Sequence, residues 1–322
     1  MPRKTRKKTR TNQDVYQEFT DAIIARLDAG DVPPWRKPWT AKSPDGFLPR
    51  NGQSGRAYRG INVWWLLMAA QDKGYTRNLW VTFKQAKELG GSVRKGEKST
   101  RVILWKPAKG RDRENVETGE KEKGRAYLLI RTYNVFNVEQ CEGLDLGKLD
   151  EPQEPKTAAE IDEAAESLVL DYLEREGLQL HHEGHMAYYH PALDYIQLPP
   201  REAFGSTAGY YSTAFHELGH STGHTSRLDR ESLTRISTRG DHHYSREELV
   251  AEFCATFLCG VSGVDRPEST ENSAAYLRTW AAKLKDDPKL LINAAAAAQK
   301  AADYVLGTYQ ERKEENTREM AA

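Results

Sequence analysis

Val15, Phe19, Ile23 and Leu27 recur every four residues ahead of Gly30, so the first apolar pattern of the chain predicts a helix from about Gln13 to Ala29. A second apolar run, Asn62 to Lys73, stops before Gly74. A third helix opens at Thr82, where Gln85 three residues on completes a capping-box pattern, and closes at Gly90-Gly91. Two β-rich stretches follow, Arg101 to Lys106 and Tyr127 to Val138. The intervening GRDRENVETGEKEKG is so charged that it reads as a solvent-exposed hairpin loop or a disordered insertion. From Cys141 to Lys156, CEGLDLGKLDEPQEPK is acidic, lacks periodicity and reads as an exposed linker. Beyond it come a helix from about Ala158 to Arg175, a β-rich segment including Asp194 to Leu198, a helix over residues 208–222, a helical SREELVAEFCATFL, and two helices between about Ala274 and Leu306 around Asp286-Asp287-Pro288. The pattern predicts an α+β protein of two domains: a disordered basic arm (1–12), a front domain (13–145), a linker (146–157), a back domain (158–308) and a charged tail (309–322).

Charge divides along the same line. The formal net charge is +0, yet residues 1–140 carry 29 Lys plus Arg against 15 Asp plus Glu, so the front is +14 and the remainder −14. Six of the 7 tryptophans lie in the front half, and all 9 histidines lie after residue 180. No apolar stretch is long enough to cross a membrane or resembles a secretory leader, and Cys141, Cys254 and Cys259 are too scattered for a disulfide framework, so a cytoplasmic location with no membrane partner is expected.

A basic surface with exposed aromatics suits single-stranded nucleic acid, because cations follow the phosphates while ring faces stack on unpaired bases. The prolines of PPWRKPW forbid a helix and leave Trp35, Arg36, Lys37 and Trp39 on a stiff loop. PRNGQSGRAYRG adds Arg50, Arg56, Tyr58 and Arg59, and RKGEK adds Lys95 and Lys98. Trp64 and Trp65, inside an apolar helix, are expected in the core.

The most specific chemical signal is His-Glu-Leu-Gly-His at 216–220. On a helix, a spacing of four stacks His216 and His220 on one face, where both can grip one metal ion, and sets Glu217 beside it as a general base. Zn2+ is the expected ion, with Mn2+ as the alternative. The zinc-peptidase reading has the metal acidify a bound water and polarise the scissile carbonyl.

PWRKPW, GRAYRGINVWWL, LWVTFKQAKELGGSVRKGEKS and YNVFNVEQCEGL resemble the signature blocks of the single-strand DNA-binding domain of ArdC-type antirestriction proteins, and TAFHELGHSTGH and REELVAEF follow in the family's order. The resemblance runs from about residue 13 to residue 308. It implies a single-strand DNA-binding domain ahead of a zincin-like metallopeptidase domain, in a protein of conjugative elements that protects incoming DNA from restriction.

A catalytic zinc usually takes a third protein ligand. His224, in HELGHSTGH, stands two residues early for the metzincin pattern, and Ser226 occupies the place of that pattern's third histidine. Glu248 and Glu252 lie one helical turn apart, flanked by Ala251 and Ala255, and are similar to the Glu-x-x-Ala-Asp pattern of glutamate-ligand peptidases. That resemblance assigns Glu248 to the metal and Glu252 to orienting a histidine, while Glu247 faces about 100° away. The alternative spends Glu248 on a capping box with Ser245 and makes Glu252 the ligand. Tyr244 is a candidate oxyanion donor, beside His242, His243, Tyr210 and Tyr211. Three readings follow: a metallopeptidase brought by single-stranded DNA to a protein on that DNA, such as a restriction enzyme; a non-proteolytic strand-binding protein with a structural metal; and an acidic half that mimics DNA to occupy a restriction enzyme.

Overall fold

In a computed structural model the described residues are 12–31, 33, 45–109, 113–114, 121–122, 126–151, 156–234, 242–265, 274–311 and 314. The front domain runs α1 (Asn12–Asp28), β1 (Arg50–Asn51), α2 (Ile61–Lys73), β2 (Leu79–Thr82), α3 (Phe83–Glu88), β3 (Ser92–Val93), β4 (Thr100–Lys109), β5 (Arg113–Glu114), β6 (Lys121–Glu122), β7 (Ala126–Asn137) and β8 (Cys141–Glu142). Local chemistry sets the helix ends. Thr82 and Gln85 form the capping box that starts α3, and α2 stops where Gly74 turns left-handed at φ 68°.

The main front sheet has the order β1-β2-β7-β4, with β1 parallel to β2 and the other pairings antiparallel. Strands β4 and β7 pair over the whole length from Thr100↔Val135 to Lys109↔Ala126, and the charged insertion between them carries the short β5–β6 ladder. Asn62 of α2 closes the outer edge of β4, its side chain donating to the Ile103 carbonyl at 2.7 Å and accepting from the Ile103 N–H at 2.8 Å.

The back domain runs α4 (Ala158–Glu176), β9 (Gln179–His182), β10 (Tyr188–His190), β11 (Tyr195–Leu198), α5 (Thr207–Ser221), α6 (Glu231–Thr234), α7 (His242–Ser262), α8 (Ala274–Asp286) and α9 (Leu290–Val305). Its sheet has the order β10-β11-β9, β9 parallel and β10 antiparallel to β11. Buried alanines on α9, Ala294, Ala295, Ala298, Ala301 and Ala302, let it lie close against α7. No described helix is long and apolar enough to cross a membrane.

Two findings depart from the pattern-based expectation. Residues 141–150 do not stand free: Cys141 and Leu146 are buried against Leu79, Val81, Ala86 and Val138, with Leu144 and Leu149 packed beside them. Four apolar side chains scattered among acids are enough to bind this stretch to the front sheet, a spacing that fits no regular period. Residues 152–155 lie outside the described residues.

The second departure is that the domains share one core. Val15, Phe19 and Ile23 of α1 and Trp64 of α2 belong to the same buried cluster as Leu249, Phe253 and Phe257 of α7 and Leu291 of α9. The Trp64 ring packs at a tilt against Phe253 and Phe257, with centroid distances of 5.2 Å and 6.3 Å. Around this contact, Thr20 donates to the Pro288 carbonyl at 2.8 Å, the Gly60 N–H to Gln299 at 3.0 Å, and Arg59 to the buried Asp303. Trp64→Ala is therefore expected to cost about 3–5 kcal/mol. Thermal unfolding followed by tryptophan fluorescence and by metal release should shift together; a front domain that melts alone would contradict the shared core.

Candidate functional site

Helix α5 begins at Ser206, whose hydroxyl accepts from the Gly209 N–H, and carries His216 and His220 on one face with ring centroids 4.7 Å apart. Gly219 is what lets α7 come close. A Cβ built there would stand 3.1 Å from the Ala251 Cα and 3.2 Å from the Cys254 Cβ. At that approach Glu248 reaches both imidazoles, Oε2 lying 3.8 Å from His216 Nε2 and Oε1 3.5 Å from His220 Nε2. The two Nε2 atoms are 3.1 Å apart.

Among the described residues, His216, His220 and Glu248 are the one group of three metal-binding side chains whose donor atoms all lie within 4.8 Å of one another. Two imidazole nitrogens and one carboxylate oxygen fit a borderline divalent ion such as zinc. The side chains keep 19%, 12% and 28% of their surface exposed, so the centre opens to one side, as a site that must admit a substrate requires. The capping alternative for Glu248 is removed because α7 is already helical from His242, which places Ser245 inside the first turn, where it is buried and accepts from Lys283 Nζ.

The carboxylate behind His220 is Glu247. His220 Nδ1 lies 3.4 Å from Glu247 Oε1. Nδ1 and Nε2 look to opposite sides of an imidazole, so two consecutive carboxylates about 100° apart on α7 can bracket one ring. Glu252 lies one turn further on and is not part of the donor group. Glu247 is 1% exposed and held by Ser232 Oγ at 2.6 Å and Arg230 Nε at 3.1 Å, and Arg230 also donates to the Gly219 carbonyl at 2.8 Å and Thr222 Oγ1 at 2.6 Å. Arg230 and Ser232 escape notice in the sequence, because nothing in their local pattern ties them to a carboxylate on a later helix.

Of the remaining candidates, Glu217 is 6% exposed beside the histidines. Tyr244 is half-buried one turn before Glu248, on the face of α7 that carries the ligand. Tyr210 and Tyr211 are committed elsewhere, to His182 at 2.8 Å and Glu166 at 2.9 Å. His242 and His243 have side chains outside the described set. His224 turns to Ser226, Nδ1 to Oγ 2.8 Å, and takes no part in the donor group.

The nucleic-acid candidates fare differently. Trp35, Arg36, Lys37 and Trp39 lie outside the described residues. Arg59 is taken by Asp303, whereas Arg50, Arg56, Lys95 and Lys98 form no side-chain ion pair among the described residues. Tyr58 packs half-buried against Leu66, Ala70, Trp80, Val102 and Val135. Trp64 and Trp80 are buried and Trp65 is partly so, in keeping with a core role.

Electrostatics at the centre are tuned toward cation binding. Burial opposes the charged form of His220, but the hydrogen bond to Glu247 and the charges of Glu248 and Glu217 raise its pKa to about 9. Burial alone would raise the Glu247 carboxyl; Arg230 and His220 instead hold it well below the usual carboxylate range. A proton on His220 thus offsets part of the surrounding carboxylate charge when no metal does.

Metal analysis of purified variants should find the ion lost from Glu248→Gln and kept by Glu252→Gln; metal retained by the first and lost by the second would reverse the assignment. Glu247→Gln should weaken metal affinity about 10–100-fold. Because His220 has a folded pKa of about 9 against 6.5 unfolded, its proton stabilises the metal-free protein fully below pH 6.5, and that contribution disappears as pH rises through 9. The melting point of chelated protein should fall across this window while the loaded protein holds level. Apparent metal affinity should rise by about tenfold per pH unit from 6.5 towards 9, as the metal displaces that proton; calorimetry at fixed ionic strength reads the slope.

Residues 13–136 match the family model described as the N-terminal domain of anti-restriction factor ArdC, and residues 165–297 match a zincin-like metallopeptidase. Two Escherichia coli proteins named DNA primase TraC are 34% and 35% identical over 95% and 93% of this chain, and the chain spans only 28% and 20% of their lengths. An uncharacterized Sinorhizobium fredii protein, y4eC, is 32% identical over 92% of both chains. The crystal structure of the antirestriction ArdC protein from plasmid R388, metal-free, superposes with a TM-score of 0.70 at 40% identity, covering 92% of this chain and 98% of that one. Its Mn(II)-bound form gives 0.68 at 39% over the same shares. With both halves matched in order, and a whole relative covered, the chain belongs to the ArdC family of antirestriction proteins and consists of an ArdC N-terminal domain followed by a zincin-like domain.

Proposed function

We propose that the protein binds single-stranded DNA through its front domain and hydrolyses a peptide bond in a protein met on that DNA, shielding a newly entered conjugative strand from restriction in the recipient cytoplasm. The observation that carries the catalytic half is the convergence of His216, His220 and Glu248 with Glu217 beside them on an open-sided centre. The +14 front half supports the DNA half, as do the TraC relatives, which are named DNA primases. Zinc is the ion this donor set favours, and the Mn(II)-bound relative makes manganese the alternative.

When bound, a divalent ion supplies Lewis acidity to the scissile carbonyl and to a water. The chain's own residues do the rest. Glu217 takes a proton from the attacking water and returns it to the leaving nitrogen, and its burial keeps competing solvent from its carboxylate. Tyr244, on the ligand face of α7, donates to the carbonyl oxygen as negative charge develops there. Glu247 keeps the His220 Nδ1 proton in place, so that Nε2 presents its lone pair to the site. A purely structural metal would sit in a closed shell, and the 28% exposure of Glu248 disfavours that role.

Wild type incubated with single-stranded DNA and a restriction enzyme should cleave the protein, and Glu217→Ala should slow cleavage by about 10²–10⁴-fold while keeping its metal and its DNA affinity. Indistinguishable fragment patterns from the two proteins would sink the peptidase reading. Full protection of transferred DNA by Glu217→Ala would assign the biological effect to binding alone.

A further inference from the structure

One face of the front sheet is only half covered. Leu66 and Ala70 of α2 close over Trp80, Val102 and Val135, with Tyr58 and Tyr75 at the rim. Strands β4 and β7 continue past this cover. On the same face the next cross-strand pairs are Val102↔Tyr133 and Leu104↔Arg131. Tyr133 is 41% and Leu104 50% exposed, and the whole run Arg131, Thr132, Tyr133 and Asn134 of β7 is exposed. An aromatic ring, an aliphatic side chain and a guanidinium thus stand together on one face of this ribbon, beyond the part that α2 covers.

The charges around this face decide its partner. Lys98 lies two residues before Thr100, where the β4 ladder begins, and the exposed Lys73 is tied there by its ammonium donating to the Lys98 carbonyl at 3.0 Å, 5.8 Å from the centre of the Tyr75 ring. From Thr100 to Leu104 the strand rises about 13 Å, so cations bound the face at both ends, Lys73 and Lys98 at one and Arg131 at the other. The acids nearby are engaged. Glu18 holds Arg101, Glu97 pairs with Arg94 and Gln140, and Glu139 accepts from the backbone N–H groups of Thr76 and Arg77. Lys98 and Arg131 form no ion pair among the described residues.

We infer that single-stranded DNA lies along this face of β4 and β7, with a base stacked on Tyr133 and against Leu104, and with phosphates held by Arg131, Lys98 and Lys73. The inference rests on the single-strand reading proposed above and names its seat. A duplex cannot use it in the same way, because its bases are already stacked; the ring therefore contributes to strand preference and the cations to affinity in general. A second copy of the chain or an apolar peptide would also cover Leu104, but neither accounts for the cations at both ends, of which Lys98 and Arg131 form no ion pair among the described residues.

The test is fluorescence anisotropy of the full chain with an oligothymidine and with a duplex of equal length, across a salt series. Tyr133→Ala should weaken single-strand binding roughly ten- to hundredfold and leave duplex binding nearly unchanged, with Tyr133→Phe behaving as wild type. Arg131→Ala should lower the salt slope by about 0.7. Leu104→Glu, on an exposed position that folding does not need, should also abolish the strand preference. If wild type prefers the single strand and Tyr133→Ala and Leu104→Glu keep that preference, the seat is elsewhere and the inference fails although the single-strand reading stands. If wild type shows no preference for single strands, that reading fails first. Concentration-dependent self-association of the DNA-free protein that Leu104→Glu removes would overturn the inference in favour of a second copy.

Discussion

Helices α5 and α7 touch at Gly219 so closely that a single added carbon would stand 3.1 Å from the Ala251 backbone, and the chemistry of the site depends on that contact. A larger residue at 219 would force α7 to give way by a few tenths of an ångström and so loosen the approach at which Glu248 faces both imidazoles. The glycine therefore does more than fill a place between the histidines of the pentapeptide: it sets the depth at which α7 presents its acids. The same closeness lets two successive residues of α7 divide one imidazole between them, Glu248 facing Nε2 and Glu247 facing Nδ1. Arg230 fixes the arrangement from behind, spanning the Gly219 carbonyl at the end of α5 and the Glu247 carboxylate on α7.

Helix α7 also carries the contact between domains. Glu247 and Glu248 belong to its second turn, and Phe253 and Phe257, which receive Trp64, follow about one and a half and two and a half turns later. The helix that completes the metal centre is thus also the surface on which the front domain's α2 rests. Gly260 extends the contact, since a Cβ there would meet Phe47 at 2.5 Å. Asp303, buried on α9, takes Arg59, a cation that composition alone would have offered to a phosphate. A basic residue in a basic half is not necessarily part of a nucleic-acid surface, because the acidic half can claim it.

What can be read from the residues follows from how local the governing physics is. His216, Glu217 and His220 are legible because a spacing of four becomes a shared face as soon as a helix forms, and the ends of α2 and α3 are legible because Gly74 and the Thr82–Gln85 pair act within a few residues. Glu248 is legible through a family pattern, whereas the carboxylate on the far side of the His220 ring is not: only the crossing of α5 and α7 brings the neighbouring Glu247 there. The packed stretch from Cys141 to Asp150 hides for a related reason. Its apolar residues, Cys141, Leu144, Leu146 and Leu149, have no helical or strand period, since they follow the surface made by β2 and α3 rather than a repeat of their own. The shared core is invisible to composition because the opposite charges of the halves describe their surfaces, whereas Trp64 and Phe253 meet inside.

A shared core changes what a DNA-binding half can do for a metal site. Joined only by a flexible tether, the front domain would raise the concentration of the centre near a strand and leave its direction free. Packed through Trp64, Phe253 and the Arg59–Asp303 pair, it fixes direction as well. On the function proposed above, the −14 half would repel the strand that the +14 half attracts, so that a bound strand would keep to the front domain and the metal centre would stand off it. On that function, a centre so placed would address a protein alongside the DNA rather than the nucleic acid itself.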